Sequence, residues 1–263
     1  MKWVLVFVAN EPYIDRAFQS ISSARSIGQW HDDIVLMGPE SLLQINQVQQ
    51  RLAQYEVQFV AIPFHPIKSV QLFWDQHKTH DNYDYIQTHP YIYQKFFAFH
   101  TMFKAWDVVF YMDSGCVILG PLERMKTMCT PRHFLYAHSD SYPFYTYRSL
   151  DCQFRFELAD PSVKQELESR HNLDIDYFQS TLMIYNTKIL EETTLQRLFE
   201  LAEKYPMSVR MDQGILNLYW TCERKLWRQM PLQDEVGFLY NFLELKGCKT
   251  KDYLILKYPR WIQ

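Results

Sequence analysis

Over the first 60 residues or so, short apolar runs of strand length alternate with segments of helical periodicity, and that alternation leaves few folds open. Trp3 to Val8 is a β-branched and aromatic run bounded by Asn10-Glu11-Pro12, the pattern of a buried strand ending at a loop. Ile14, Ala17, Phe18, Ile21 and Ala24 then recur at helical spacing, with Gly28 where a C-terminal cap belongs. A second strand, Ile34 to Met37, stops at Gly38-Pro39, and a Gln-rich amphipathic stretch from Leu42 to Tyr55 precedes a third strand, Val57 to Ile62. Three β-α alternations predict an α/β chain with a central, mostly parallel mixed sheet flanked by helices.

Between Pro63 and Pro90 the periodicity blurs into a polar segment that carries no assignable element. Beyond it the pattern predicts a helix over Tyr91 to Phe103 and a fully buried strand from Val108 to Met112. A strand over Leu182 to Tyr185 follows, then helices over Leu195 to Tyr205 and Asp212 to Tyr219. No internal repeat, low-complexity tract or linker interrupts this order, so residues 1–263 are expected to form a single domain.

Hydrophobic residues make up 48% and charged residues 22%, enough for a large core and too polar for a membrane protein. A formal net charge of −3 offers no broad attraction for a polyanion, which argues against nucleic acid as the main partner. The five cysteines, Cys116, Cys129, Cys152, Cys222 and Cys248, include no CxxC pair and read as buried free thiols of a reducing compartment. The apolar start after Lys2 is seven residues long and lacks a small-x-small cleavage site, so it is expected to be a strand rather than a signal peptide. No run approaches the roughly 20 apolar residues of a transmembrane segment. A cytoplasmic setting is the expectation.

In open α/β sheets ligands bind beyond the carboxyl ends of the strands, which singles out Asn10, Asp113 and Gln179-Ser180. The strand Val108-Val109-Phe110-Tyr111-Met112 delivers Asp113 to such an edge, and Ser114-Gly115 lets the backbone turn close to a ligand. Asp-Ser-Gly is also ordinary turn chemistry, and the segment alone does not choose between the two. His77 and His80 lie three apart without the HExxH glutamate and are not read as a zinc site. Tyr142, Phe144, Tyr145 and Tyr147 could form a stacking platform for a ligand, but with 16% aromatic residues overall core or loop packing is the favoured explanation.

Taken in order and spacing, these segments resemble the donor-site core of the GT-A-fold retaining glycosyltransferases related to glycogenin and bacterial galactosyltransferases, family 8. Val6-Phe7-Val8-Ala9-Asn10-Glu11-Pro12-Tyr13 is similar to that family's first strand and base-binding loop. Tyr93-Gln94-Lys95-Phe96, followed by Trp106 to Asp113, resembles its lysine helix and metal-motif strand, and Tyr177 to Asn186 resembles its acceptor-side strand. Asp212-Gln213-Gly214-Ile215-Leu216-Asn217 is similar to its helix-opening motif almost residue for residue, and Tyr258-Pro259-Arg260-Trp261 has a counterpart near its end.

The resemblance implies a Rossmann-like α/β domain that moves a sugar from a nucleotide diphosphate sugar, with UDP-sugar and retention of configuration as the expectation, to a glycan or other hydroxyl acceptor. Val8, Ala9, Asn10 and Tyr13 would line the base and ribose site, and Lys95 would reach the donor phosphate or sugar; an exposed helix lysine is its bland alternative. Asp113, Ser114, Gly115, Asp140, Gln179 and Ser180 would complete the donor site, with Asp140 accepting from sugar hydroxyls. Asp212 and Gln213 would act as catalytic groups at the reacting sugar, where a carboxylate stabilises positive charge growing on the anomeric carbon. Asp212 also suits a helix N-terminus through the dipole.

The chain departs from the family where a metal belongs. The family's Asp-x-Asp holds Mn²⁺ or Mg²⁺, whereas this chain reads Asp113-Ser114-Gly115, and counting back from Trp261 puts Tyr253 in place of a histidine ligand. Asp113 alone can hold a hard divalent cation only weakly, together with substrate phosphates and waters, and a metal-independent reaction is the other expectation. Lys95 with Lys257 or Arg260 would then meet the charge of the departing diphosphate. A non-catalytic nucleotide-sugar-binding module is the main alternative, against which the presence of Lys95, Asp212 and Gln213 argues. Other nucleotide-dependent α/β enzymes are disfavoured, since there is no GxGxxG or GxxxxGK[ST] and only seven glycines.

Overall fold

A computed structural model of the chain describes residues 1–81, 83–84, 89–141, 148–241 and 252–257. The predicted alternation is present: β1 (Trp3–Val8), α1 (Ile14–Ser26), β2 (Asp33–Gly38), α2 (Asn46–Gln54) and β3 (Val57–Ala61). β1 is buried on both faces, as parallel strands covered by helices are. The apolar stripe of α1, Ile14, Ala17, Phe18, Ile21 and Ala24, faces the core. Past the end of α1 the left-handed residue is Gln29 (φ 50°) rather than Gly28. Gly28 is there because its Cα packs on the helix: a Cβ would stand 2.7 Å from the Ala24 carbonyl oxygen.

Two corrections follow downstream. The segment without assignable periodicity contains α3 (Lys68–Gln76), whose buried residues are Val70 and Trp74 alone, too few to register as a stripe. The helix expected over Tyr91 to Phe103 is instead two 3₁₀ segments, Pro90–Phe99 and Thr101–Ala105. Tyr93, Phe96 and Phe99 are all buried and spaced by three, which aligns them on one edge of a 3₁₀ helix and would smear them around an α-helix. His100 breaks the run in an extended conformation, and its Nδ1 accepts from the Met102 N–H at 3.0 Å.

The chain continues through β4 (Val108–Met112), β5 (Cys116–Ile118), α4 (Glu123–Met128), β6 (Leu135–Ser139), α5 (Pro161–Arg170), β7 (Phe178–Asn186) and α6 (Thr194–Lys204). α7 (Asp212–Asn217) runs on as a π-turn over Leu218–Glu223, and β8 (Trp227–Gln229), β9 (Phe238–Asn241) and β10 (Tyr253–Lys257) complete the described elements. Seven strands form a sheet in the order β3-β2-β1-β4-β7-β6-β8, and β5, β10 and β9 form a small second sheet. In the large sheet only β7 runs antiparallel to its neighbours, pairing with β4 on one side and β6 on the other.

Alternate residues of the strands feed two apolar layers. Val4 and Val6 face one with α3, α6 and α7, while Leu5 and Phe7 face the other with α1, α2 and α4. Cys116, Cys129, Cys152 and Cys222 are free thiols, but Cys152 is exposed and Cys222 half-buried, so the expectation that all are buried is corrected for these two; Cys248 lies outside the described residues. Among the described residues no helix is long and apolar enough to cross a membrane.

Candidate functional site

Strand order reverses direction at β1. The chain builds outward through β2 and β3, then returns to place β4 on the other flank of β1. Loops leaving β1 and β4 lie side by side at the carboxyl edge of the sheet and both lead into the layer of α1 and α4, with Asn10 after one strand and Asp113 after the other. Gln179 and Ser180 do not follow a strand as the sequence pattern suggested; they lie near the amino end of β7. Because β7 is antiparallel to β4, that end meets the same edge, and the Asp113 N–H donates to the Thr181 carbonyl at 2.9 Å. β6 is antiparallel to β7 and so ends there as well, delivering Asp140.

Lys95 is the centre of this edge. Its side chain is buried (4% exposed), contrary to the solvated-lysine alternative, and its Nζ lies 3.1 Å from Asp113 Oδ1, 2.7 Å from Asp212 Oδ2 and 3.1 Å from Ser180 Oγ. Ser180 Oγ donates to Asp212 Oδ2 at 2.6 Å, and Tyr111 Oη donates to Asp113 Oδ1 at 2.7 Å. Burial works to lower the Lys95 pKa, but the two carboxylates outweigh it and hold the ammonium above its ordinary value. Asp212, 2% exposed, is pushed up by burial against the pull of Lys95, with Asp113 adding to the rise. Tyr111 is held well above the usual phenol range, first by burial and then by the charge of Asp113, so it remains a donor. One ammonium serves two carboxylates, and the cluster is net negative.

Asp212 opens α7, and Gln213 beside it is half-buried, its Oε1 accepting from the Ser180 N–H at 3.3 Å and its Nε2 donating to Gln153 Oε1 at 3.2 Å. Asp140 accepts from Gln179 Nε2 at 2.9 Å and Tyr177 Oη at 2.5 Å, and Tyr240 Oη donates to Gln179 Oε1 at 3.2 Å. At the neighbouring end of β1, the Ala9 N–H prolongs the β1–β2 ladder by donating to the Met37 carbonyl at 3.0 Å, the Val8 carbonyl accepts from Ser114 Oγ at 3.3 Å, and Asn10 is extended. The amide oxygen of Asn10 is buried and, among the described residues, has no hydrogen-bond partner. Tyr13 sits beside it, its ring 6.3 Å from that of His89.

At the Ser114-Gly115 turn, Gly115 takes φ +85°, and its N–H donates to Ser20 Oγ at 3.1 Å. The turn feeds β5, which pairs with β10 so that Lys257 stands opposite Cys116, and the Lys257 Nζ donates to the Ser114 carbonyl. Tyr253, which counting back along the sequence puts in the place of a histidine ligand, does not reach this turn. Tyr253 lies at the far end of β10, buried with its ring 5.3 Å from that of Phe238, and the β10 residue that reaches Gly115 is Lys257. A Cβ on Gly115 would meet Lys257 Nζ and Arg16 Cδ, each at 3.8 Å. Asp113 Oδ1 is already shared by Lys95 and Tyr111, and among the described residues no group of three or more His, Cys, Asp or Glu could hold a metal. Among the described residues these do not fit a divalent cation held by protein ligands alone: the donor set is one carboxylate, with Oδ1 already engaged, beside an ammonium.

Arg260 and the aromatic residues Tyr142, Phe144, Tyr145 and Tyr147 lie outside the described residues. Sequence reasoning missed Tyr111, Tyr177, Tyr240, Gln153, Ser20 and Arg16. Tyr111 and Tyr177 could have been found, since alternation puts them with Asp113 and Gln179, and Arg16 lies one helical turn beyond Tyr13; Tyr240 and Gln153 are brought in by elements distant in sequence.

No model of a known protein family matches the sequence, and no curated protein matches it either. In structure the chain is similar to several glycosyltransferases. It matches GlyE of Streptococcus pneumoniae TIGR4 with a TM-score of 0.54 at 16% identity, over 90% of this chain and 47% of that one. It matches the galactosyltransferase LgtC, solved with donor and acceptor sugar analogues, with a TM-score of 0.54 at 13% identity, over 90% of this chain and 75% of that one. It matches the core-mannan synthase CmsA/Ktr4 of Aspergillus fumigatus, in an Mn/GDP form, with a TM-score of 0.53 at 8% identity, over 87% of this chain and 72% of that one. The chain thus spans about half the length of GlyE. The likeness is one of fold: the chain has the GT-A fold, a mixed sheet of seven strands flanked by helices.

Proposed function

We propose that this protein is a glycosyltransferase that moves a sugar from a nucleotide diphosphate sugar to the hydroxyl of a glycan or other acceptor, acting through residues 1–263 as one donor-binding domain. The observation that carries this reading is the convergence of Asn10, Asp113, Asp140, Ser180 and Asp212-Gln213 at the sheet edge where strand order reverses. The solved complexes of LgtC with donor and acceptor analogues and of CmsA/Ktr4 with Mn and GDP support the same class of ligand. The unpartnered acceptor on Asn10 suits a base edge that presents an N–H, as uracil does, and UDP-sugar is the donor we assign.

In the proposed reaction the bond between the anomeric carbon and the diphosphate oxygen breaks, and its electron pair leaves on the diphosphate. The acceptor oxygen bonds to the anomeric carbon and its proton passes to the departing oxygen. Gln213, the more accessible of the pair at the start of α7, contacts the sugar, while Asp212 behind it supplies fixed negative charge for the oxocarbenium-like transition state. Asp212 is tied by Lys95 and Ser180 and is not free to attack from the opposite face, which argues against a covalent glycosyl intermediate and favours the same-face transfer just described, with retention of configuration. Asp140, oriented by Tyr177 and Gln179, accepts from sugar hydroxyls.

A thermal-shift panel of nucleotide sugars, followed by assays of hydrolysis without acceptor, tests this. A donor at 100 times its dissociation constant should stabilise the fold by about 2.7 kcal/mol, and slow release of free sugar should accompany binding. If none of the donors shifts the melting temperature and none is hydrolysed, the reading fails. Binding without turnover would mark a non-catalytic module, and turnover unchanged by Asp212→Asn would remove the role given to Asp212.

A further inference from the structure

The cluster at Lys95 poses an electrostatic problem for the proposed donor: a diphosphate at this edge would approach two carboxylates that share one buried ammonium. Uncompensated like charge at a few ångströms disfavours binding, and the donor set around Asp113 does not fit the divalent cation that could reverse the sign. Positive charge is nonetheless present at the turn. Lys257 arrives from β10 and donates to the Ser114 carbonyl, and Arg16, in the first turn of α1, passes the same turn with its Cβ and Cδ beside Gly115. Both are half-buried, and among the described residues neither forms an ion pair with a carboxylate. Both side chains border the place where Gly115 lacks a Cβ: Lys257 Nζ and Arg16 Cδ would each lie 3.8 Å from an atom added there.

We infer that Arg16 and Lys257, converging on Gly115, bind the diphosphate of the nucleotide donor directly and make donor binding independent of a divalent cation. The inference rests on the donor reading above. An arginine presents a planar fork that matches phosphate oxygens bidentately, and a lysine beside the same turn adds a point charge. Their two positive charges with that of Lys95 exceed those of Asp113 and Asp212, which makes the turn net cationic where the leaving group's negative charge grows. Gly115 suits the turn: a side chain there would crowd Lys257 Nζ and the Arg16 stem and carry the strain of a left-handed backbone.

Calorimetric titration of the whole chain with UDP and with GDP, in EDTA and again in Mn²⁺, tests the inference without relying on turnover. One of the two nucleotides is expected to bind in EDTA, with affinity changed less than about threefold by Mn²⁺. Arg16→Ala and Lys257→Met should each weaken that binding by about tenfold or more, the size of a lost charge-assisted contact, while Lys257→Arg retains most of it. Melting curves confirm that each variant is folded, and Arg16→Ala with Lys257→Arg covers the case in which Lys257→Met does not fold. Binding that appears only with Mn²⁺, or that survives both charge-removing variants, overturns the inference and leaves the donor reading intact. Failure of both nucleotides to bind the wild type in EDTA and in Mn²⁺ alike would instead sink the donor reading, and the inference with it.

Discussion

Replacing Lys95 by methionine keeps the side-chain length and removes the one cation that Asp212 and Asp113 share. Removing a single partner from a buried ion pair costs about 3–5 kcal/mol, because the opposite charge is left desolvated. At roughly 2.1 cal/mol/K per residue, 263 residues give an unfolding entropy of about 0.55 kcal/mol/K, so the melting temperature should fall by about 5–9 °C at pH 7. The loss should depend on pH in a definite direction. Asp212 already has a raised pKa from burial, and without Lys95, which pulls it down, it rises further. A carboxylate whose folded pKa is raised loses stability as pH climbs from its unfolded value near 3.8 through the folded value, so the penalty is small near pH 4 and largest at neutrality. Wild-type Lys95, with its folded pKa raised, contributes stability that is complete below its unfolded value of 10.5 and so stays constant over that window. Denaturant unfolding of wild type, Lys95→Met and the double variant Lys95→Met with Asp212→Asn, at pH 4.5 and pH 7, measures all of this. The double variant should recover part of the loss at pH 7, since it removes the stranded charge. A pH-independent loss in Lys95→Met, or a melting temperature within about 2 °C of wild type, would refute the account of Lys95 as the buried counter-ion.

Two further outcomes follow from the same structure. Gly38→Ala should destabilise the protein by about 1–3 kcal/mol in denaturant melts, because the new Cβ would lie 2.6 Å from the Ala9 carbonyl oxygen and 2.8 Å from Leu42 Cδ1. A variant as stable as wild type would mean that the loop before Asn10 yields freely. Asp234, held to about 2 first by its bidentate contact with Arg124 at 2.5 and 2.7 Å, should contribute stability above its unfolded value of 3.8 and lose it as pH falls toward 2. Asp234→Asn should therefore cost about 1 kcal/mol at pH 6, after screening by solvent, and about half of that at pH 3; an equal cost at both would contradict the pair.

Much of the framework is legible in the amino-acid order because it depends on local periodicity. The run Trp3 to Val8, the stripe on α1 and the fully apolar Val108 to Met112 carry their own signals, and they suffice to place Asn10 and Asp113 at strand ends. The 3₁₀ spacing of Tyr93, Phe96 and Phe99 was also present in the sequence but mimics an irregular α-helical stripe, so the element was found and its type was not. What the linear order cannot carry is direction, register and charge pairing between distant segments. Gln179 and Ser180 join the site only because β7 runs antiparallel to β4, and Lys95 is buried rather than solvated only because Asp113 and Asp212, 18 and 117 residues further along the chain, meet it at one point. Likewise the residue that β10 brings to Gly115 is Lys257 and not Tyr253, because pairing of β5 with β10 fixes which end of the strand reaches the turn. Those pairings are settled by the whole sheet at once, through burial and hydrogen bonding that no single segment contains.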